Sequence, residues 1–230
     1  MHSEQLAAKR KKVKPWVKIA LAVLALLLLV VLAVRLGGWS HQGQDSRLTV
    51  LVNPWNGVDN CGFTPRPTDF EGLQIDSNLK KPLEELLNAA RQAGYSPALT
   101  AGYRSREQQQ ALYDETMRSL LAGGDLSENE AAAIASMRVG RPGTSEHELG
   151  LAVDFAEDAA LQSWLRDNAW HYGFILRYPA GSETLTGRDS DPCHYRYVGE
   201  AAAEQIHAMN ATLEEYLSLF YADSAQVIFE

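Results

Sequence analysis

The chain has 230 residues, of which 46% are hydrophobic, 22% are charged and 17 are glycine, and this composition excludes collagen-like, low-complexity and wholly disordered proteins. Its charge is unevenly distributed, because residues 1–35 hold seven Lys or Arg against one Glu, whereas the remaining 195 residues hold 14 Lys or Arg against 28 Asp or Glu. A segment with a net charge of −14 is poorly suited to neutralising phosphates, so we expect no nucleic-acid partner.

The N-terminal region contains a purely apolar run, since residues 19–34 are all Ala, Val, Leu or Ile. Sixteen helical residues at about 1.5 Å each are slightly shorter than a ~30 Å hydrocarbon core. Lys18 and Arg35 can snorkel, however, and Trp16 and Trp39 suit the two interfaces. The basic residues before the run favour a cytoplasmic N-terminus. We therefore predict a cytoplasmic basic segment at 1–18, a single transmembrane helix at 19–36, a tether at 37–47 and an extracytoplasmic domain at 48–230.

A cleavable signal peptide and a buried core helix are the alternatives for this run. A signal peptide normally has a shorter apolar core followed by a small-x-small cleavage site, whereas Arg-Leu-Gly-Gly-Trp follows here at 35–39. A core helix normally has a polar face, and this run has none. Both comparisons favour an uncleaved membrane anchor.

Beyond the tether, the sequence predicts a mixture of helices and short strands. Residues 53–70 are rich in Pro, Gly, Asn and Asp and are predicted to be extended or looped. Helices are predicted at 79–93, 105–121, 127–136, 159–172, 200–209 and 212–219, and strands at 97–101, 150–155, 174–177 and 194–198. Because the two element types do not alternate regularly, we predict an α+β fold with a small antiparallel sheet flanked by helices.

Two of these helices have the sequence of a capping box at their N-terminus. Ser105 is followed three residues later by Gln108, and Ser127 by Glu130. In this arrangement each side chain bonds the other residue's backbone N–H. Gly173 stands where a left-handed glycine would end the helix predicted at 159–172.

Two of the six histidines are candidates for chemistry. His147 precedes a stretch in which apolar residues 151, 153 and 155 alternate with Ala152 and Asp154, the period of a strand. Asp154 is therefore expected on the face opposite the apolar row. His194 begins another strand-like run. The other histidines precede the predicted domain or lie in predicted helices, where packing or surface roles are commoner: His2, His41, His171 and His207.

Two imidazoles and one carboxylate form a donor set that suits Zn²⁺, and three protein ligands leave a fourth position for water. This is the composition of a catalytic zinc site, lying in a cleft of the predicted sheet. On spacing alone the alternative remains open that Asp154 caps a turn while His147 and His194 pack separately.

Four ordered motifs resemble the D-alanyl-D-alanine carboxypeptidases of the VanY type, which are related to lysostaphin-type endopeptidases and hedgehog signalling domains. The first is Ser-x-His-x-x-Gly-x-Ala-x-Asp at 145–154, and the second is Asp-Pro-Cys-His-Tyr-Arg-Tyr-Val-Gly at 191–199. Gly-Tyr-Arg-Ser at 102–105, with Gln109 beyond it, and Tyr-Gly-Phe-Ile-Leu-Arg-Tyr-Pro at 172–179 match the other two. The likeness covers about residues 51–217.

This resemblance implies that His147, Asp154 and His194 hold Zn²⁺. It also implies that Asp191 is the general base, although the family has Glu at this position and Trp at the position of Cys193. The carboxylate of Asp is set back by one methylene, about 1 Å, and a misplacement of that size can cost ~10²-fold in rate. General-base chemistry is therefore expected to be weakened but not abolished.

The resemblance assigns the substrate contacts to three further residues. Arg104 would stabilise the oxyanion or clamp the terminal carboxylate, for which its planar guanidinium is suited. Gln109 and Ser145 would hydrogen-bond the end of the substrate. We thus predict a membrane-anchored, zinc-dependent D-alanyl-D-alanine carboxypeptidase that trims peptidoglycan stem peptides ending in D-Ala-D-Ala.

Two alternatives to this function stay open. The changes at Asp191 and Cys193 are compatible with a catalytically degenerate zinc-binding domain that recognises wall peptides or a protein partner. Hydrolysis of a different bond, by an L,D-carboxypeptidase or an endopeptidase, is the other alternative, because the pocket loops that select the bond cannot be recognised from the sequence.

Cys61 and Cys193 are the two cysteines of the chain, and both are predicted to lie outside the membrane, where disulfides persist. We hypothesise that they pair and pin the looped segment beside the zinc cleft. Two free thiols, or Cys193 as an extra zinc ligand, are the alternatives.

Overall fold

The computed structural model describes residues 47–221 of the chain, with side chains to residue 219. The predicted transmembrane helix at 19–36, the basic segment before it and most of the tether lie outside the described residues. Within the described residues, no helix combines the length and the apolar character that crossing a bilayer requires.

The described residues form two antiparallel sheets. In the four-stranded sheet the spatial order is β3-β4-β6-β5, and β1 and β2 form a separate two-stranded hairpin. The strands are β1 Pro67–Phe70, β2 Leu73–Asp76, β3 Leu99–Ala101, β4 Ala152–Phe155, β5 Phe174–Tyr178 and β6 Asp191–Tyr197. The predicted α+β class with a small antiparallel sheet is thus confirmed.

Seven α-helices accompany these sheets in the described part of the chain. They are α1 Lys80–Gln92, α2 Arg106–Leu121, α3 Glu128–Arg138, α4 Ala159–Asn168, α5 Glu183–Thr186, α6 Glu200–Met209 and α7 Leu213–Tyr221. Both capping boxes are formed, by Ser105 with Gln108 on α2 and by Ser127 with Glu130 on α3. The helix predicted at 159–172 is instead α4 followed by a 3₁₀ turn at Ala169–Tyr172, which Gly173 ends with a φ of 81°.

One face of the four-stranded sheet is packed into the main apolar core. Val153, Phe155 and Tyr195 point into this core, and the rings of Phe155 and Tyr195 meet edge to face with centroids 5.6 Å apart. Helices α1 and α4 complete it with a set of fully buried aliphatic side chains: Leu83, Leu86, Leu87, Ala90, Leu161 and Leu165. Because side chains alternate along a strand, the residues between these core positions point to the other face.

A second apolar cluster joins β5 and the end of β6 to the two C-terminal helices. Ile175 and Val198 pack there against α6 and α7, whose contributing residues are Ala202, Ala203, Ile206, Leu213 and Tyr216. Helix α7 is thereby anchored beside β5, and Glu214 on its first turn lies within reach of Arg177 on that strand.

The segment predicted to be extended or looped at 53–70 ends in a strand. Pro67–Phe70 pairs with Leu73–Asp76, and the two-residue connection is Glu71 and Gly72, with φ values of 47° and 83°. Positive φ at both central positions is the geometry of a tight hairpin turn. The extended alternative is thus confirmed at the end of this segment. The hairpin itself was not predicted, because a four-residue strand that begins with Pro and is joined by Glu-Gly lacks the usual Asn-Gly or Asp-Gly pattern.

Candidate metal centre and active site

The pairing of β4 with β6 brings two of the predicted metal ligands together. Asp154 and His194 are directly opposite each other in the register, and both point away from the core residues Val153 and Tyr195. Directly opposed side chains in an antiparallel pair share one face of the sheet. As a result, His194 Nδ1 lies 2.7 Å from Asp154 Oδ1.

The third predicted ligand comes from the 3₁₀ turn Glu146–Leu149, which precedes β4. Gly150 ends this turn with a φ of 68°, and a Cβ on it would lie 2.8 Å from the backbone nitrogen of Asp76, so this tight passage requires glycine. The turn places His147 Nε2 3.2 Å from Asp154 Oδ2. One ligand atom from each of the three residues lies within 4.8 Å of the other two.

The tautomer of His147 is set by the backbone. Its Nδ1 lies 2.7 Å from the carbonyl oxygen of Gly102, and because a carbonyl only accepts, Nδ1 carries the hydrogen. Nε2 is thereby left with a lone pair toward Asp154, as a metal ligand requires. Gly102 can approach this closely because it lacks a Cβ, which would overlap the carbonyl oxygen of Gln74.

Charge and burial act on the three groups in different ways. Burial and the neighbouring cations lower the pKa of His147, although Asp154 acts in the opposite direction. Burial also disfavours the imidazolium of His194, but the carboxylates of Asp154 and Glu146 outweigh it and raise its pKa to about 9. Burial likewise opposes the charge of Asp154, yet the two imidazoles hold the pKa of this carboxyl far below its usual range. An anionic oxygen between two imidazole nitrogens is a donor set that fits Zn²⁺.

Arg104 lies beside this cluster. Its backbone N–H donates to the carbonyl of His147 at 3.1 Å, and its Nε donates to Gln109 Oε1 at 2.9 Å. Burial lowers the pKa of its guanidinium, while the charges of Asp154 and Glu148 raise it. Within residues 47–221, the two terminal nitrogens of Arg104 make no hydrogen bond, so they remain able to bind an anion.

Gln109 is completely buried, and the structure gives it partners at both ends of its amide. The nitrogen donates to the carbonyls of Val139 and Gly140 at 2.7 and 2.9 Å, and the oxygen accepts from Arg104. In this structure Gln109 holds Arg104 in place. The direct substrate contact expected of Gln109 stays a prediction, and the signal for its supporting role was only its position four residues after the helix cap.

Ser145 and Glu148 belong to the turn that carries His147. Ser145 is buried, and its backbone N–H donates to Glu148 Oε2 at 3.3 Å. The same carboxylate accepts the N–H of Gly143 at 2.8 Å and Nε of Arg106 at 3.2 Å. Glu148 therefore closes the loop before the metal ligand, whereas the substrate contact of Ser145 stays a prediction.

Asp191, the candidate general base, begins β6, three residues earlier than the predicted strand start. It pairs with Tyr178 across an irregularity in the register, and the Tyr178 ring stacks on His194 with centroids 4.9 Å apart. This pairing places Asp191 in the same strand as His194, three residues before it. Its Oδ1 accepts the backbone N–H of Cys193 at 2.8 Å.

The hypothesised disulfide is not formed, because Cys61 and Cys193 are both free thiols. Cys61 Sγ donates to the carbonyl of Val58 at 3.0 Å, and Cys193 Sγ accepts from Gln162 Nε2 at 3.1 Å. Cys193 points to the side of β6 opposite to that of His194, as residues adjacent in a strand do. For the same reason it does not join the metal cluster.

Glu146 is a residue of the site that the sequence did not reveal. It is completely buried, and its Oε1 accepts from Arg177 Nε at 2.8 Å and Arg196 Nη1 at 2.6 Å. Burial disfavours the carboxylate, but these two arginines and His194 hold its pKa well below the usual range. The available signal was an arginine inside each of two predicted strands, at 174–177 and 194–198, since a buried cation requires an anionic partner.

Comparisons with known proteins agree with this geometry. The VanY family model of D-alanyl-D-alanine carboxypeptidases matches residues 72–200, more than half of the chain. A D-alanyl-D-alanine carboxypeptidase of Enterococcus faecalis is 42% identical over 191 residues, which are 77% of this chain and 69% of the relative.

Two solved structures show the same fold, each with a TM-score of 0.70 and 38% sequence identity over 74% of this chain. One is the vancomycin resistance D,D-pentapeptidase VanY from a VanB-type cassette in complex with Zn(II), of which 99% is covered. The other is VanYB in complex with D-alanine-D-alanine, of which 97% is covered. Taken with the cluster of His147, Asp154 and His194, these findings establish that the chain belongs to the VanY family and is a zinc-dependent D,D-carboxypeptidase.

Proposed function

We propose that this chain removes the terminal D-alanine from peptidoglycan stem peptides that end in D-Ala-D-Ala, while anchored to the membrane by residues 19–36. The proposed cleavage reaction is supported by one observation, the closeness of the three metal ligands to Arg104. Two imidazoles and a carboxylate offer ligand atoms within 4.8 Å of one another. They lie beside Arg104, whose terminal nitrogens make no hydrogen bond to any other residue that the structure describes.

Arg104 is the proposed anchor for the substrate's terminal carboxylate. An exopeptidase must recognise the chain end, and a guanidinium can bind a carboxylate through two parallel hydrogen bonds. Because Gln109 already holds Nε at 2.9 Å, the fork is preorganised, and little side-chain entropy is lost when substrate binds. In a domain of net charge −14, a local cation also lets an anionic peptide end approach.

Asp191 is the proposed general base. Zinc, when bound by His147, Asp154 and His194, polarises the scissile carbonyl and acidifies the attacking water. The Asp191 carboxylate takes the proton of that water and returns it to the nitrogen of the leaving D-alanine. Since Oδ1 is committed to the N–H of Cys193, Oδ2 is the oxygen that carries the proton.

A second candidate is a degenerate domain that binds zinc and recognises a wall peptide or a protein partner without cleaving it. The observation that favours it is the bond between Asp191 and its own strand, because a short carboxylate held in this way reaches less far toward a substrate. Rates of the Asp191→Glu and Asp191→Asn variants distinguish the two. If the domain is degenerate, Asp191→Glu should raise the hydrolysis rate strongly and Asp191→Asn should leave it unchanged. If the domain is an active enzyme, Asp191→Asn should lower the rate strongly.

The reaction is tested by product analysis on defined muropeptides. Mass spectrometry should show loss of a single D-alanine from a pentapeptide, with no product from the matching tetrapeptide and no cut within a cross-link. Release of D-alanine from the tetrapeptide would instead identify an L,D-carboxypeptidase, and cleavage inside the cross-link would identify an endopeptidase.

The membrane location is supported by the apolar run at 19–34 with its basic N-terminal flank. Cells expressing the full chain should retain it in the membrane fraction after washes with high salt and carbonate. Protease added outside the cell membrane should digest the domain at 48–230 and leave residues 1–18 intact. Release of the domain into the soluble fraction would contradict the anchor.

A further inference from the structure

Next to His194 lies a charge cluster made of three buried residues, Glu146, Arg177 and Arg196, and the partly buried Glu214. Arg177 donates Nη1 and Nη2 to the two carboxylate oxygens of Glu214 at 2.8 and 2.7 Å. Both arginines donate to Glu146 Oε1. Two cations and two anions therefore neutralise one another, and this balance is what makes so much buried charge tolerable.

None of the guanidinium N–H groups of Arg177 and Arg196 donates to the second carboxylate oxygen of Glu146, Oε2. Arg196 Nη2 donates to the carbonyls of Leu48 and Val50, each at 3.0 Å. Glu146 Oε2 is buried and, among the described residues, has no hydrogen-bond partner. A buried carboxylate oxygen without a partner is costly and calls for an explanation.

The group facing this oxygen is the outer nitrogen of a metal ligand. His194 Nε2 is also buried and also lacks a hydrogen-bond partner within the described residues, and it lies 3.6 Å from Glu146 Oε2. This distance is too long for a hydrogen bond, but a displacement of less than about 1 Å would form one. The two unpartnered atoms are thus complementary.

The hydrogen needed for a bond between His194 Nε2 and Glu146 Oε2 is expected because the other ring nitrogen, Nδ1, faces the metal cluster. His194 presents Nδ1 to the metal cluster, 2.7 Å from Asp154 Oδ1. A neutral imidazole that binds a metal through Nδ1 carries its one hydrogen on Nε2. This hydrogen is directed to the side of Glu146, the only remaining acceptor in the contacts of His194 that residues 47–221 provide.

We propose that Glu146 is a positioning residue, which accepts the Nε2 hydrogen of His194 and so fixes the tautomer and orientation in which Nδ1 binds zinc. The inference rests on the zinc site of the proposed function. The ring of Tyr178, stacked on His194 at an interplanar angle of 29°, limits tilting of the imidazole, and Glu146 sets its rotation within that plane. The two arginines keep the carboxylate ionised and aimed.

The test compares Glu146→Gln with Glu214→Gln in the full-length chain. In Glu146→Gln the new amide oxygen can keep both arginines, and its N–H₂ group then faces His194 Nε2 and favours the tautomer with hydrogen on Nδ1, which cannot bind metal. Zinc affinity, measured by competition with a chromophoric chelator, should then fall ~10–100-fold. Glu214→Gln removes the same charge from the same cluster without touching His194, so its zinc affinity should stay at the wild-type value.

Comparing the two variants shows whether Glu146 positions His194 or only stabilises the fold. Thermal unfolding of both variants reports the shared loss of a buried ion pair. Equal zinc affinities for the two variants, whether unchanged or equally weakened, would overturn the positioning role. A wild-type chain that takes up no zinc would refute the metal site itself, and the inference with it.

A measurement on the wild-type chain covers the case in which Glu146→Gln does not fold. Nitrogen NMR of the zinc-loaded protein, with the imidazoles labelled, should show the His194 hydrogen on Nε2, shifted downfield and protected from exchange as a hydrogen-bonded proton is. A rapidly exchanging Nε2 hydrogen without that shift would contradict the contact with Glu146.

Discussion

The two histidines on either side of Asp154 are supported by different means. On the His147 side, the acceptor behind the ring is a backbone carbonyl, that of Gly102, already in contact at 2.7 Å. On the His194 side, the acceptor is the buried carboxylate of Glu146, still 3.6 Å away. Each side also carries a residue to which we assign a role in the proposed mechanism: the backbone of Arg104 bonds that of His147, and Asp191 begins the strand that contains His194.

This difference shows two ways of holding a metal ligand, with different costs. A carbonyl is neutral and fixed by its backbone, so it needs no counterion but cannot adjust. A carboxylate makes a stronger hydrogen bond to an imidazole, but burying it requires the two arginines on β5 and β6. The His147 side is therefore preorganised, whereas the His194 side retains a short movement that metal binding would complete.

Asp154 is common to both sides, so its removal should have the largest effect. The Asp154→Ala variant loses one zinc ligand and leaves both imidazoles without their shared carboxylate. Loss of several kcal/mol of transition-state stabilisation predicts a fall in kcat/KM of about 10³-fold or more. D-Alanine release and zinc content should fall together. Asp158→Ala, which removes the cap of α4, should cost about 1 kcal/mol of stability and leave zinc content unchanged.

The proposed general base on the His194 side is tested by Asp191→Asn. The amide oxygen can still accept the N–H of Cys193, so the strand start should be preserved while the basic oxygen is lost. General-base catalysis contributes ~10²–10⁴-fold, and kcat should drop by that factor with the zinc content unchanged. As a control, the exposed Asp69 can be changed to Asn without effect. An Asp191→Asn variant with the wild-type kcat would show that Asp191 is not the general base.

On the His147 side, the corresponding change is Arg104→Lys. Lysine keeps the charge but loses both the planar fork and the bond to Gln109 Oε1. Hydrogen bonds to charged groups contribute about 1.5–3 kcal/mol, so kcat/KM for a pentapeptide should fall ~10–100-fold, and an amidated C-terminus should abolish the difference between the two proteins. Arg118→Lys, at an exposed ion pair, is the matched control. An unchanged preference for the free carboxylate would show that the anchor lies elsewhere.

The rigid support of His147 is tested by Gly102→Ala, the smallest of the expected effects. The added Cβ would overlap the Gln74 carbonyl oxygen, and the backbone shift that relieves this overlap should cost about 1–3 kcal/mol of stability. It would also move the carbonyl that holds His147, so zinc should dissociate faster. Gly123→Ala, whose Cβ has only a contact at 3.9 Å, should change neither quantity. A Gly102→Ala variant with wild-type zinc kinetics would mean that this support is not rigid.

The local setting of the zinc ligands could be predicted from the residues around them. Alternation along β4 indicates that Asp154 points away from the core, and the glycine at 150 indicates the turn that carries His147. That the three residues hold one ion was implied only by the family resemblance, because their approach depends on strand register, which the pairing of β4 with β6 shows.

Glu146 and the role of Gln109 could not be predicted in this way. Both depend on contacts between residues more than 30 positions apart, such as Glu146 with Arg177 and Gln109 with Gly140. The disulfide prediction was wrong for a related reason. The direction of Cys193 is decided by its place in β6 next to His194, a strand start that the sequence predicted three residues too late.

Catalysis by this chain should require one zinc ion per molecule, held by His147, Asp154 and His194. We expect that the chelator-stripped full-length chain releases no D-alanine from a pentapeptide, and that activity rises in proportion to added zinc and saturates at one ion per chain. Full activity of the stripped protein, or a zinc-loaded protein with no activity on any D-Ala-D-Ala peptide, would contradict it.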